Sequence, residues 1–432
     1  MGKSIHSLGN KPIIKYIYKA VKAWRQYGFA SMLRMAGHRL RSASEAVADH
    51  TSCPIGDSYE SLFVKYKTGE IRGIAIIPSA FEFDELYNQR TINLSKYLSR
   101  NGYGVIYVAW QWSKGDALEK NYQFVYKNVI QVPLYEFVEK HGRLKIFDEL
   151  PDKKYIVMLP AKILCDLIFF MKDHFVDVYY DIMDDWERFF EAGQAPWFVK
   201  SVEESVILNS NKVTAVSQPL IDKFSYLRTD IALIGNGYYP DVLDGAANIA
   251  AQGSRDERRV VLGYFGHLTQ SWFDWDLIFK LASQYEIYFE IIGYGENEAI
   301  RNKASKMENI KLPGKVTPRD LHKYASGWDI AIIPFKKSEL SEAVDPIKIY
   351  EYLYFGLPTV ATGIPHLKAY PYTTVAENEA ESFYNATMAL FESRSQGSVD
   401  YTKIKDFLSD KTWDKRFENM FKADFISELY TL

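Results

Sequence analysis

Lys348 and Glu351 stand three positions apart in the stretch DPIKIYEYLYFGLPTVAT, Asp345 to Thr362. Pro346 suits a loop or the first turn of a helix, so Lys348 falls in that turn and Glu351 follows on the same face. The ammonium can neutralise a diphosphate, and the carboxylate can accept hydrogen bonds from two ribose hydroxyls, which together is the chemistry a nucleotide ligand requires. The competing reading is an ordinary surface pair worth ~0.2–0.5 kcal/mol. Gly356 and Pro358 close the helix. A second constellation is the adjacent pair Asp184 and Asp185. Neighbouring carboxylates repel, so one can be held with a raised pKa suited to taking a proton from a hydroxyl. Alternatively, one of them caps a helix expected to start around Trp186. A third is the loop GYFGHLTQSWFDW, where Gly263 and Gly266 bracket a strand end ahead of a helix expected near Trp272. Glycine there lets a phosphate approach the N–H groups of a helix start, although the three spaced glycines of a dinucleotide fingerprint are missing.

Other chemically capable residues carry less. His174, His322 and His366 lie far apart without metal-ligand spacing, and only Cys53 and Cys165 represent cysteine, so neither a metal centre nor a disulfide framework is expected. Trp110, Trp112 and Trp272 could stack on sugar rings but fit core packing equally. Glu339, Glu342 and Asp345 could meet sugar hydroxyls or form a solvated loop.

The elements that must position these residues follow from apolar runs alternating with helical stretches. Strands are expected over Gly73 to Pro78, Val105 to Trp110, Val129 to Val132, Tyr155 to Leu159, Val176 to Asp181 and Val213 to Val216. Leu243 to Arg259, LDGAANIAAQGSRDERR, reads as a linker. A second series follows: Val260 to Phe265, Tyr288 to Ile292, Ile310 to Leu312, Ile330 to Pro334 and Thr359 to Ala361. The fold class is therefore α/β, with two doubly wound, Rossmann-like units facing a cleft at the C-terminal ends of their strands. Boundaries expected are 1–50 for a basic amphipathic extension, 51–242 and 243–408 for the two units, and 409–432 for a last helix.

At 432 residues, 47% hydrophobic and 25% charged, the chain has ample material for two cores. Its net charge of −3 is unevenly spread. Residues 1–44 hold nine basic side chains and no acidic one, so the rest sums to −12, with 43 basic against 55 acidic residues. On a helical wheel Ile13, Ile17, Ala20, Val21 and Trp24 oppose Lys11, Lys15, Lys19, Lys22 and Arg25, which describes a cationic helix able to lie on an anionic membrane surface. Packing of that helix on the protein's own body is the alternative. No run suits a spanning helix or an export signal, so a cytoplasmic location, peripheral on the inner face of the plasma membrane, is expected, with no nucleic-acid partner.

Taken in order, these loops resemble a known set. GYFGHLTQSWFDW, EIIGYGE, LPGKVTPRDLHKYASGWDIAIIPF and DPIKIYEYLYFGLPTVAT are similar to the nucleotide-sugar domain of GT-B glycosyltransferases of the group 1-like type, particularly bacterial ones that build exopolysaccharide, capsule and teichuronic-acid-type polymers. VYYDIMDDW, EESVILNSNKVTAVSQPL and IALIGNGYYPDVL resemble the acceptor-side domain, so the likeness runs from about Val105 to Leu390. It implies that Lys348 binds the donor diphosphate, Glu351 the ribose, backbone around Gly293 and Val316 faces the base, and His267, beside Gly266, sits near the phosphates. It also implies that the terminal helix TWDKRFENMFKADFISELY crosses back to the first domain. Two departures stand out. Retaining relatives carry glutamates eight positions apart, whereas the position eight before Glu351 is Ala343, and the loop that holds Arg and Lys in them holds only His267 here. Phosphate neutralisation then leans on Lys348, with Lys336 or Lys337 as candidates beside it.

The expectation is a metal-independent transferase without a cofactor, moving a sugar from a nucleotide-sugar donor, most simply UDP-linked, to a polyprenyl-diphosphate-linked oligosaccharide or surface polysaccharide. Asp184 or Asp185 would be the base if configuration inverts. A non-catalytic scaffold of the same fold and a nucleotide-sugar epimerase are the alternatives.

Overall fold

Apolar runs with no polar alternation make strands that must be covered on both faces, and this chain builds two such sheets. The computed structural model describes residues 55–144, 146–240, 243 and 259–428. The basic segment and nearly all of the expected linker lie outside the described residues.

The first sheet contains β1 (Gly73–Ser79), β2 (Tyr103–Ala109), β3 (Gln123–Tyr126), β4 (Val129–Pro133), β5 (Lys153–Val157), β6 (Asp177–Ile182), β7 (Lys212–Ala215) and β8 (Ala232–Leu233). Its order is β3-β4-β2-β1-β5-β6-β7-β8, parallel except for the β3–β4 pair. Every residue of β1 and β2 is buried, as a sheet with crossover helices on both sides requires. The antiparallel strand β3 was not expected, because it is only four residues long, partly exposed and at the sheet edge.

The second sheet holds β9 (Val260–His267), β10 (Ile287–Tyr294), β11 (Ile310–Gly314), β12 (Ile330–Pro334), β13 (Thr359–Thr362) and β14 (Thr373–Val375), in the order β11-β10-β9-β12-β13-β14 and parallel throughout. Strand order reverses between β9 and β12. That switch point leaves a crevice beyond the strand ends, where open α/β sheets take ligands.

Five helices bear on that crevice. They are α1 (Arg90–Arg100), α2 (Trp186–Glu191), α3 (Trp275–Gln284), α4 (Ile347–Tyr354) and α5 (Trp413–Glu428). Asp185 caps α2 and Asp274 caps α3 through their side chains, so the helix expected from Trp272 begins three residues later. Trp413, Phe417 and Met420 of α5 share a core with Ile92, Leu94 and Leu98 of α1, so the last helix packs on the first domain although it follows the second in sequence. Together the two facing sheets form the GT-B architecture.

Candidate functional site

Strand β9 must end abruptly for its loop to reach the crevice, and paired glycines make this possible. Gly266 lies opposite Gly293 of β10, with φ of 144° and 153°. A Cβ on Gly293 would sit 1.9 Å from the Gly266 carbonyl oxygen, so only glycine fits. The two strand ends thereby open onto a cavity of about 410 Å³ between the domains. Gly266, His267, Gly293, Tyr294, Lys315, Val316, Lys348 and Glu351 line it from the second domain, and Tyr87, Asn88, Arg90, Met183, Asp184 and Asn236 from the first.

Lys348 and Glu351 both reach this cavity from the first two turns of α4. Lys348 Nζ makes no hydrogen bond or ion pair among the described residues. It rests over aromatic faces, 5.2 Å from the Phe335 ring centre and 5.4 Å from that of Tyr264. Burial lowers its pKa to about 8, against the opposing pull of Glu351. Glu351 is 6% exposed, and its Oε1 accepts a 2.7 Å hydrogen bond from Asn88 Nδ2 of the first domain. Burial raises its carboxyl to about 7, while Asn88 and Lys348 hold it down. The pair is thus a half-buried cation that makes no ion pair among the described residues, near a carboxylate with acceptor capacity left.

Around it the charges are sparse. Burial and the nearby Lys348 lower the pKa of His267, and its buried Nδ1 has no hydrogen-bond partner. A neutral imidazole adds no charge for a phosphate. Lys336 donates to the Gln270 carbonyl at 2.8 Å and Lys337 stands 3.9 Å from Glu377; neither lines the cavity, which corrects their expected part in neutralising phosphates. Lys315 does line it, with Nζ 5.0 Å from the Tyr87 ring centre and 5.4 Å from that of Tyr294. The sequence reading passed it over, although it immediately precedes Val316.

The two aspartates separate. Asp184 lines the cavity, makes no hydrogen bond or ion pair among the described residues, and is raised to about 7 by burial and by Asp185. Asp185 does not line the cavity. Its Oδ1 accepts from Arg188 N at 3.1 Å and from Lys223 Nζ at 2.6 Å, which is the capping use. Asp185 therefore spends Oδ1 on the helix start and a lysine and lies outside the cavity lining, so of the two expected bases it is Asp184 that the cavity exposes.

Arg90 also lines the cavity yet is spent. Its Nε and Nη2 grip Asp181 at 2.6 and 3.0 Å, Nη1 reaches Gly235 O and Asn236 Oδ1, and Nη2 also reaches Ile234 O. All three nitrogens are engaged within the protein. Asp345 is equally committed, accepting from Asn236 N at 2.5 Å and from Tyr350 Oη at 3.0 Å. Glu339 pairs with Arg188 of the first domain but stays 70% exposed, and neither it nor Glu342 lines the cavity; the stretch Glu339–Ala343 is a short helix rather than a loop. Ala343, 4% exposed, packs in the first domain's core and accepts from Ser217 Oγ at 2.6 Å. A carboxylate there would be buried against apolar side chains. Of the three tryptophans, Trp272 lines the cavity, whereas Trp110 and Trp112 do not. Among the described residues, no group of three or more His, Cys, Asp or Glu side chains is arranged to hold a metal ion.

Comparison with known proteins gives the same outline. Residues 259–393 match the family model for glycosyl transferases group 1. Over 178 residues the chain is 27% identical to a Bacillus subtilis (strain 168) protein named for teichuronic acid biosynthesis, the glycosyltransferase TuaH; the match covers 39% of this chain. It spans 44% of that relative, less than half its length. Sucrose-phosphate synthase of Thermosynechococcus elongatus superposes with a TM-score of 0.63 at 12% identity, covering 83% of this chain and 99% of its own. HepE of Anabaena, solved with UDP and glucose, gives 0.57 at 11% identity, covering 82% and 100%. These structural likenesses establish the fold.

Proposed function

We propose that this chain is a glycosyltransferase that takes a nucleotide-sugar donor, UDP-linked, on its second domain and transfers the sugar to a hydroxyl of an acceptor held on the first. The observation that carries the reading is the ammonium of Lys348. It is drawn into the cleft, makes no ion pair among the described residues, and lies one helical turn from the Glu351 carboxylate. A half-buried cation without an ion-pair partner is costly, and a diphosphate would supply the missing charge.

The chemistry follows from where charge develops. As the bond between the anomeric carbon and the diphosphate breaks, negative charge grows on the leaving phosphate, and Lys348 is fixed to stabilise it. Backbone N–H groups around Gly266 can approach the same oxygens because no Cβ intervenes. Glu351 accepts from the ribose hydroxyls, and backbone near Gly293 and Val316 faces the base. Asp184, near pKa 7, takes the acceptor proton if configuration inverts. With Ala343 packed into the domain contact, nothing at that position supports the retaining pattern.

The acceptor class we favour is a polyprenyl-diphosphate-linked oligosaccharide or a growing surface polymer, with the cationic segment 1–44 bringing the cleft to the inner face of the plasma membrane. The named role of the Bacillus relative and the charge asymmetry of the sequence support it. The deciding experiment is calorimetric titration of UDP into the wild type and Lys348→Ala. A roughly tenfold or greater loss of affinity in the variant is expected, and unchanged binding would remove the reading. Nucleotide release that requires a lipid-linked acceptor would separate a transferase from an epimerase or a scaffold.

A further inference from the structure

Asn88 sits just ahead of α1 in the first domain, yet it touches the second domain's most telling carboxylate. Its Nδ2 donates to Glu351 Oε1 at 2.7 Å. Its Oδ1 accepts from Asn93 Nδ2 of α1 at 2.9 Å and from Trp413 Nε1 of α5. These two donors settle the amide's orientation, since the oxygen must face them and the nitrogen must therefore face Glu351. Trp413 is itself fully buried, clamped by ring stacking on Phe417 at 5.3 Å. The donor to Glu351 is thus held by two helices of the first domain's own packing.

On Glu351, only Oε1 is engaged by the protein among the described residues. A carboxylate held by one oxygen keeps the other, and further lone pairs, for a ligand. We infer that Asn88 is a positioning residue for the donor: it fixes Glu351 from across the cleft, so that the grip on the ribose hydroxyls is complete only when the two domains are closed on each other. This inference rests on the reading that Glu351 receives the ribose. It assigns α5 a part in donor recognition through Trp413, beyond that of a structural strap.

The test measures ribose recognition directly. UDP and 2′-deoxy-UDP, with the corresponding ADP and GDP pairs, are titrated separately into the full chain and into Asn88→Ala, Asn88→Asp, Trp413→Phe and Glu351→Ala. Asn88→Asp keeps the acceptor toward Trp413 and Asn93 but replaces the donor facing Glu351 with an oxygen. It therefore remains decisive if the alanine variant does not fold. The expected result is that wild type prefers the ribonucleotide, and that both Asn88 variants lose roughly tenfold in ribonucleotide affinity while the 2′-deoxy affinity stays near wild type. Trp413→Phe should move the ratio the same way by less, because the ring remains and only the N–H is lost. Wild-type ratios in the Asn88 variants alongside a lost ratio in Glu351→Ala would overturn the inference and leave the ribose assignment standing. Tighter ribonucleotide binding in Asn88→Ala would also overturn it, making Asn88 a competitor for Glu351. An unchanged ratio in Glu351→Ala, or no diphosphate bound by wild type, would remove the ribose assignment and the inference together.

Discussion

Three ionisable groups in the cleft have pKa values displaced toward neutrality, and that sets a pH window. Asp184 and Glu351 are raised to about 7 and must be ionised to act as base and ribose acceptor, so the rate gained from them appears as pH rises through about 7. Lys348 is lowered to about 8 and must be protonated to hold a diphosphate, so its contribution is lost as pH rises through about 8. The expected kcat/KM profile is a narrow bell between those limits, read from initial rates across pH 5.5 to 9.5. A profile flat over that interval would contradict the assignment of these groups. Asp184→Asn should lower kcat about 10²- to 10⁴-fold with donor affinity unchanged. Asp185→Ala should instead act on stability, costing about 0.5–2 kcal/mol through the lost cap, as a lower denaturation midpoint with turnover largely kept. The sequence placed both aspartates together because adjacency was all it offered. Which of them faced the cleft depended on Arg188 and Lys223, one of them 38 residues away.

At the level of elements, α4 was legible almost to its ends. Pro346 stands at its N-cap and Gly356, with φ of 70°, follows its last turn, as proline-first and glycine-last spacing requires. The central strands were legible for the same reason, since unbroken apolar runs leave a sheet with two covered faces as the economical outcome. Short edge strands such as β3 and β14 were not, because their pairing is set by neighbours rather than by their own pattern. Helix α5 read as amphipathic, but only the fold identifies its partner as α1. Because Phe417 is fully buried in that shared core, Phe417→Ala should cost about 3–5 kcal/mol, seen as a shifted urea midpoint; a shift near zero would mean the helix is dispensable for stability.

For the molecule as a whole, the basic segment and the cleft suggest separable duties. Removing residues 1–44 should weaken sedimentation with anionic liposomes, more so at low salt, and slow transfer to a lipid-borne acceptor, while UDP affinity remains that of the full chain. Equal liposome binding by both forms would sever the segment from membrane attachment. By itself the sequence determined two α/β units, their strand series and a cation–carboxylate pair on one helical face, because periodicity, caps and spacing are local properties of the chain. Only the tertiary structure decided that Lys348 makes no ion pair among the described residues, that Asp184 rather than Asp185 looks into the cleft, and that Asn88 meets Glu351 from 263 residues away. Those facts depend on which surfaces two folded domains bring face to face, and no spacing along a single chain encodes that distance.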